Sequence, residues 1–393
     1  MRFTVNCTAY DMKRIYLDYA ASTPVDLEVE IAMRPFFGVK NSLFANSGST
    51  HWFGQKVSAA IFDARQKIAK SIGADYKEIV FTGSATEANN LALRGIASRH
   101  RIIVSAVEHE SILKTAEDLK NLFGVDVAII PVDKYGVINL KKFKDALNKN
   151  TILVSIMLAN NEIGTIQPIS EIGRIIKEFR GKSQYPLFHT DAVQAFQFLD
   201  CNVDELNVDL MTLSAHKIYG PKGIGLLYVR RPNEQSLNPI ITGGGQENNL
   251  RAGTENAPYI VGFGKAVELA DANRTKEHKR LKLLRDYFWK ELKKIIPDAE
   301  LNGSLEKRLP NNLNIYFPGR PAQDLSIELD LNGIAVSIGV ACASRLAIPS
   351  HVISALGFGG DRANSSIRLS FGRYIGKEDI DWTLTIFRKR FNM

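Results

Sequence analysis

Lys217 stands in the run D-L-M-T-L-S-A-H-K-I-Y-G-P-K-G-I-G over 209–225, which reads as a strand, a polar junction, a glycine turn and a second strand. A lysine between a buried strand and a Gly/Pro-rich turn can lose hydration, and a desolvated amine is a nucleophile toward an aldehyde. Its ordinary explanation is a solvated loop lysine, so the rest of the chain must decide. F-H-T-D-A-V-Q (188–194) ends an apolar stretch with Asp191, a carboxylate able to keep a heteroaromatic ring nitrogen protonated, and Gln194 can reach a hydroxyl on the same ring. F-T-G-S-A-T-E-A-N-N (81–90) follows a short strand and opens a helix, so the backbone N–H groups near Ala85 and Thr86, with the Thr86 hydroxyl, make an anion site. V-S-A-V-E-H-E (104–110) sets His109 just past another strand, where a flat imidazole can stack on a flat ring. An amine, a ring-nitrogen partner, an anion site and a stacking group are what pyridoxal phosphate requires. Each alone has a plain structural use as a cap, a turn or a satisfied histidine. The four together, in this order, point to the cofactor.

The elements that must position them follow from the hydrophobic pattern. Strand-like runs at 78–81, 102–105, 126–132, 152–157, 186–189, 210–214 and 224–229 alternate with amphipathic helical stretches such as 57–72 and 169–179. This alternation predicts an α/β fold with a mostly parallel seven-stranded sheet sandwiched by helices, ligand groups at the strand ends and an antiparallel last strand. From about Tyr259 the pattern changes to a long charged helix (262–296), a strand at 312–316, a helix near 323–331 and a strand at 366–370. That is a smaller α+β lobe, which the N-terminal segment joins. The expected division is 1–15 as an extension and start of the small domain, 16–258 as the large cofactor-binding domain, and 259–393 as the small domain.

Composition narrows the class. A chain of 393 residues, 45% hydrophobic, can bury a large core. No run is apolar enough to span a membrane, and the first ten residues lack the apolar core of a signal peptide. Cys7, Cys201 and Cys342 show neither pairing nor metal spacing, which fits a reducing cytoplasm and one reactive thiol. The net charge of +8 comes from interspersed signs and reads as a solvated surface, with no direct nucleic-acid site expected.

Beyond these residues, Y-L-D-Y-A-A-S-T-P (16–24), L-A-N-N-E-I-G-T-I-Q-P (158–168), G-G-G-Q-E-N-N-L-R-A-G-T (243–254) and S-I-R-L-S-F-G-R (366–373) extend the pattern over nearly the whole chain. In these motifs the sequence resembles the cysteine desulfurases of the NifS/IscS group, within the class V aminotransferase-like, fold-type I enzymes. The resemblance implies that Lys217 carries the Schiff base, Asp191 and Gln194 contact the pyridine ring, and His109 stacks on it and takes up the substrate's thiol proton. It implies further that Asn161 lies near the ring hydroxyl and substrate, and that Ala85, Thr86, Ser214 and His216 serve the phosphate. Arg368 would grip the substrate carboxylate, and Thr254 would reach the phosphate of the neighbouring subunit of a homodimer. A-V-S-I-G-V-A-C-A-S-R-L-A-I-P-S-H-V-I (335–353) matches the family's loop without a gap and puts Cys342 at the position of the nucleophile, with Ile338 and Val340 where serines are common.

The implied activity is removal of sulfur from L-cysteine to give alanine and a persulfide on Cys342, for iron–sulfur assembly or tRNA thiolation through acceptor proteins. A selenocysteine lyase or aminotransferase, in which Cys342 is dispensable, is the competing enzyme reading. A cofactor-binding scaffold without turnover is the non-enzymatic one.

Overall fold

The computed structural model describes residues 13–96, 100–338 and 349–391. Its strands are β1 (Ile15–Tyr16), β2 (Ile79–Thr82), β3 (Arg101–Ser105), β4 (Asp126–Ile130), β5 (Thr151–Ser155), β6 (Leu187–Asp191), β7 (Leu210–Ser214), β8 (Gly225–Val229), β9 (Glu300–Leu301), β10 (Asn312–Tyr316), β11 (Ile334–Ala335) and β12 (Ser366–Ser370). Seven of them form one sheet in the order β2-β8-β7-β6-β5-β3-β4. The pairs from β7 through β4 are parallel, while β8 runs antiparallel to both β7 and β2. The central strands β5 to β8 are buried along their whole length, as a sheet covered on both faces requires. Each expected strand is present, including the antiparallel one.

Differences at element ends have local causes. The run at 126–132 stops as a strand at Ile130 because Pro131 has no N–H to give the ladder. β6 runs on to Asp191, so the carboxylate is the last strand residue. The helix expected from 57 begins at Trp52, since the His51 ring accepts from the Gly54 N–H at 3.2 Å and caps it. The long helix begins at Ala257, ahead of the expected 262, and runs to Ile295. Gly262 and Gly264 read as weak helix formers but sit where a Cβ would lie 2.6 Å from Met33 Sδ and 2.8 Å from Ala64 Cβ, so they allow close packing.

The second sheet, β12-β10-β9, is antiparallel, and β1 pairs in parallel with β11. The N-terminal strand therefore lies beside the C-terminal lobe. Among the described residues no helix is long and apolar enough to cross a membrane.

Candidate active site

The parallel strands all end on one edge of the large sheet, and the antiparallel β8 begins there. The segments just past β2, β3 and β5, the ends of β6 and β7, and the entry to β8 together line a cavity of about 480 Å³. Ligand groups at the carboxyl ends of parallel strands are the expected place for a site in such a sheet. The cavity gathers Ala85, Thr86, His109, Asn161, Asp191, Gln194, Ser214, His216, Lys217 and Arg368. Thr254 is not among its lining residues; it borders a separate cavity with Gly83, Arg251 and Gly253. Cys342 lies outside the described residues.

Lys217 Nζ donates to the carbonyl oxygens of Ala20 and Ala21 at 2.6 and 2.7 Å. Gln194 Nε2 donates to the same Ala20 oxygen at 2.9 Å. The 16–24 segment is thus a wall of the site, held by the Thr23 hydroxyl, which accepts from the Tyr219 N–H at 2.8 Å and donates to the His216 carbonyl at 3.0 Å. Asp191 is buried, accepting from the Val193 N–H at 3.0 Å and from Asn89 Nδ2 at 2.8 Å.

Arg368 crosses from β12 to the large lobe. Its Nη2 pairs with Asp18 Oδ1 at 2.7 Å, its Nη1 donates to the Asn161 carbonyl at 3.0 Å, and its buried Nε has no partner among the described residues. A guanidinium held at the wall of a cavity is suited to a carboxylate. The backbone of Arg368 exchanges hydrogen bonds with Ser337 at 2.7 and 3.1 Å, which ties the chain just before residue 339 to the site. On the far side of the segment, Ser350 Oγ donates to the buried Glu162 carboxylate at 2.5 Å, and His351 Nε2 lies 3.0 Å from the Glu108 carbonyl. Both described flanks of the cysteine segment are therefore anchored at the cavity.

The anion site is built at the start of the helix Ala85–Ile96. Ser84 Oγ accepts the Glu87 N–H at 3.1 Å, and Glu87 Oε2 accepts the Gly83 N–H at 2.8 Å. The N–H groups of Ala85 and Thr86 have no acceptor among the described residues, the arrangement an anion completes. Gly225 backs this turn, and a Cβ there would lie 2.6 Å from the Ser84 carbonyl carbon and 2.7 Å from the Ala85 nitrogen. Gly225→Ala should lower stability by about 1–3 kcal/mol, as overpacking against fixed backbone does. It should also weaken anion binding at this turn, read by thermal melts and by phosphate titration. An unchanged melt and an unchanged titration would contradict that.

Three titratable groups near the site are displaced. Burial lowers His189 to about 3, its ring lying between Ser155 Oγ at 2.8 Å and Thr212 Oγ1 at 3.0 Å. Burial and the charges of Lys217 and Lys222 lower His216 to about 4. Burial, with a smaller contribution from the negative Asp191, raises Glu108 to about 8. The histidines take up protons in the unfolded chain below pH 6.5 that the folded chain refuses, so stability falls as pH drops below that value. Glu108 holds a proton in the folded chain that the unfolded chain releases above 4.5, so its contribution is full below 4.5 and lost as pH rises through 8. Melting temperature should therefore peak near pH 6.5 and decline toward 8. Glu108→Gln should flatten that decline; a wild-type melt that keeps climbing to pH 8 would refute it.

Residues 15–382 match the family model described as aminotransferase class-V. The chain is 48% identical over 385 residues to the cysteine desulfurase IscS of Dictyoglomus turgidum, covering 96% of this chain and 95% of that protein. The chain belongs to the class-V aminotransferases, in their NifS/IscS cysteine desulfurase group. Among solved structures, a NifS-like protein superposes with a TM-score of 0.89 at 35% identity, covering 96% of this chain and 99% of that one. SspA in complex with cysteine superposes at 0.77 and 37% identity, covering 91% and 98%.

Members of this family use pyridoxal phosphate, and the residues present fit it. The unpaired N–H groups of Ala85 and Thr86 suit its phosphate, the buried Asp191 its ring nitrogen, and Lys217 its aldehyde. Several groups of the site left no clear mark in the sequence: the Ala20 and Ala21 carbonyls, Asp18, Glu108, Glu162, Ser111 and Asn89. Helical spacing points to Asn89 alone, since it lies four and three residues beyond Ala85 and Thr86 and so shares their face.

Proposed function

We propose that this chain is a cysteine desulfurase, which takes sulfur from L-cysteine, releases alanine and carries the sulfur as a persulfide on Cys342. The observation that carries this reading is the single cavity that brings Lys217, Asp191, His109 and Arg368 together from four separate segments. Arg368, at the cavity wall, holds the substrate carboxylate, with Asp18 fixing the guanidinium. Lys217 Nζ, once it leaves the Ala20 and Ala21 carbonyls, moves the proton of the substrate's α-carbon. Pyridoxal phosphate supplies the electron sink that makes that proton acidic, and Asp191 stabilises its ring charge. The Cys342 thiolate attacks the substrate sulfur, so that a sulfur–sulfur bond forms as the carbon–sulfur bond breaks, and the carbon takes a proton to become alanine's methyl group. The deciding experiment incubates the protein with L-cysteine and a reductant and measures sulfide and alanine in equal amounts. Neither product would end the reading.

The sulfur goes to acceptor proteins of iron–sulfur assembly or tRNA thiolation, in the cytoplasm, where the thiol stays reduced. We assign residues 16–258 to the cofactor-binding lobe, 259–393 to the small lobe and 1–15 to an extension that starts the latter. The large-sheet strands within 79–229, the small-sheet strands within 300–370 and the pairing of β1 with β11 support this.

A homodimer is supported by the apolar face of residues 27–52, where Leu27, Ile31, Phe37, Val39, Phe44 and Trp52 are each more than half exposed. Exposed large apolar side chains at this density along one stretch of chain suit cover in an assembly. Near it the 243–254 loop holds Glu247, Asn248 and Asn249 in the left-handed region, at φ 47°, 57° and 65°. Arg65 grips both Glu247 oxygens at 2.7 and 2.8 Å and so keeps the loop in that shape, with Thr254 exposed at its end. Light scattering should give twice the chain mass, and Phe37→Glu with Val39→Glu should yield a monomer with reduced activity. A fully active wild-type monomer would overturn the composite site.

A further inference from the structure

We propose that Arg251 is a positioning residue for the anion turn: it holds the Glu87 carboxylate away from the open amides of Ser84, Ala85 and Thr86, which the protein's own acid would otherwise close. Glu87 is the third residue of the helix Ala85–Ile96, and Ser84 Oγ accepts its N–H at 3.1 Å. In a capping box the acid at that position reaches back to the amide of the residue that precedes the helix. Here that residue is Ser84, whose N–H has no acceptor among the described residues. The carboxylate instead lies one residue further back, where Oε2 accepts the Gly83 N–H at 2.8 Å.

Arg251 accounts for the displacement. Its Nε donates to Glu87 Oε1 at 2.8 Å and its Nη2 lies 3.4 Å from Oε2, so the guanidinium faces both oxygens. The two side chains are 25% and 16% exposed, which shields the pair from most of the solvent. A forked grip of this kind fixes direction as well as charge. Arg251 is in turn placed by the loop that carries it: Leu250 and Ala252 on either side are buried, and the Ala252 N–H donates to the Ile241 carbonyl at 3.2 Å. Glu247, held by Arg65, accepts the Phe81 N–H at 2.9 Å and fastens the same loop to β2, the strand that leads into the turn.

Two anions compete for the same amides. A helix N-terminus takes whichever negative group reaches it. Ser84, Ala85 and Thr86 line the cofactor cavity, and a phosphate has all three N–H groups available only while Glu87 stays at Gly83. Without Arg251 the carboxylate is free to turn to Ser84, where it occupies one donor and repels a phosphate from the others. None of this depends on which reaction the site performs.

The test titrates inorganic phosphate into the full-length protein freed of its cofactor, and follows the loss of pyridoxal phosphate from the loaded protein on dilution. Arg251→Ala should weaken phosphate binding about tenfold and speed cofactor loss by a similar factor. Glu87→Gln keeps an acceptor for Gly83 but is neutral and competes less, so it should bind phosphate at least as well as wild type. Adding Arg251→Ala to it should then change the affinity by less than about twofold. An arginine that acted on the phosphate directly, or that merely supported the loop, would give an equal loss in both backgrounds, and that result overturns the proposal. Wild-type affinity in Arg251→Ala overturns it too. Should Arg251→Ala fail to fold, Arg251→Lys keeps the charge without the fork and should cost about threefold. That loss must again vanish in the Glu87→Gln background, and its persistence there counts against Arg251 in the same way.

Discussion

Lys217→Ala should purify without the yellow colour of covalently held cofactor, and its sulfide release from L-cysteine should fall by about 10³-fold or more, as when an enzyme loses its nucleophile. Lys217 ends the short 3-10 turn Ala215–Lys217 that follows β7, and the Ala20 and Ala21 carbonyls hold its Nζ inside the cavity. Both events thus depend on one amine. The substitution removes an alkyl amine at the cavity wall and leaves Asp191, Arg368 and the anion turn in place. Phosphate binding at Ala85 and Thr86 should therefore persist, which separates loss of chemistry from loss of fold. The cavity also contains Lys222, in the turn that follows. If the Lys217→Ala protein kept both colour and turnover, Lys222 would be the covalent amine and the assignment of Lys217 would be wrong.

The placement of Lys217 and Asp191 was readable because Asp191 closes a five-residue strand buried throughout and Lys217 follows three residues after the end of another, and a short apolar run leading into polar residues is a strong pattern. The same holds for the anion turn, where Ser84 precedes a helix and Gly225 admits its backbone. What the pattern does not carry is contact over long separations. Asp18 and Arg368 are 350 residues apart, and nothing local to either marks the pair. The Ala20 and Ala21 carbonyls offer no side-chain signal at all, because their contribution comes from backbone oxygens. Glu108 looks like any acid beside a histidine, and only its complete burial reveals that it is held neutral. The early start of the long helix is marked by the Asn256 cap and Pro258 in the first turn, a signal that precedes the charged run from which 262 was read.

Cys342→Ala should still bind the cofactor and L-cysteine, yet lose catalytic sulfide production. Every group that the structure places around the cofactor cavity is retained in this variant: Lys217, Asp191, His109 and Arg368 all come from other segments. On the proposed reading, the substitution removes only the atom that receives the sulfur. A defect confined to the sulfur step should leave substrate-induced changes in the cofactor's absorbance intact while sulfide falls to background. Selenocysteine should retain part of its turnover, because selenium leaves carbon more readily and depends less on the attacking thiol.

Cys201, the one cysteine among the described residues, cannot stand in. Cys201 is fully buried and its pKa is pushed up to about 12, so almost none of it is thiolate at neutral pH. Alkylation should therefore reach Cys342 well before Cys201. Mass spectrometry after a short pulse of L-cysteine should find the added sulfur on the peptide that contains Cys342. If it appears only on Cys7 or Cys201, or if the alanine variant keeps full activity with L-cysteine, the chain is a lyase or aminotransferase and Cys342 is a bystander.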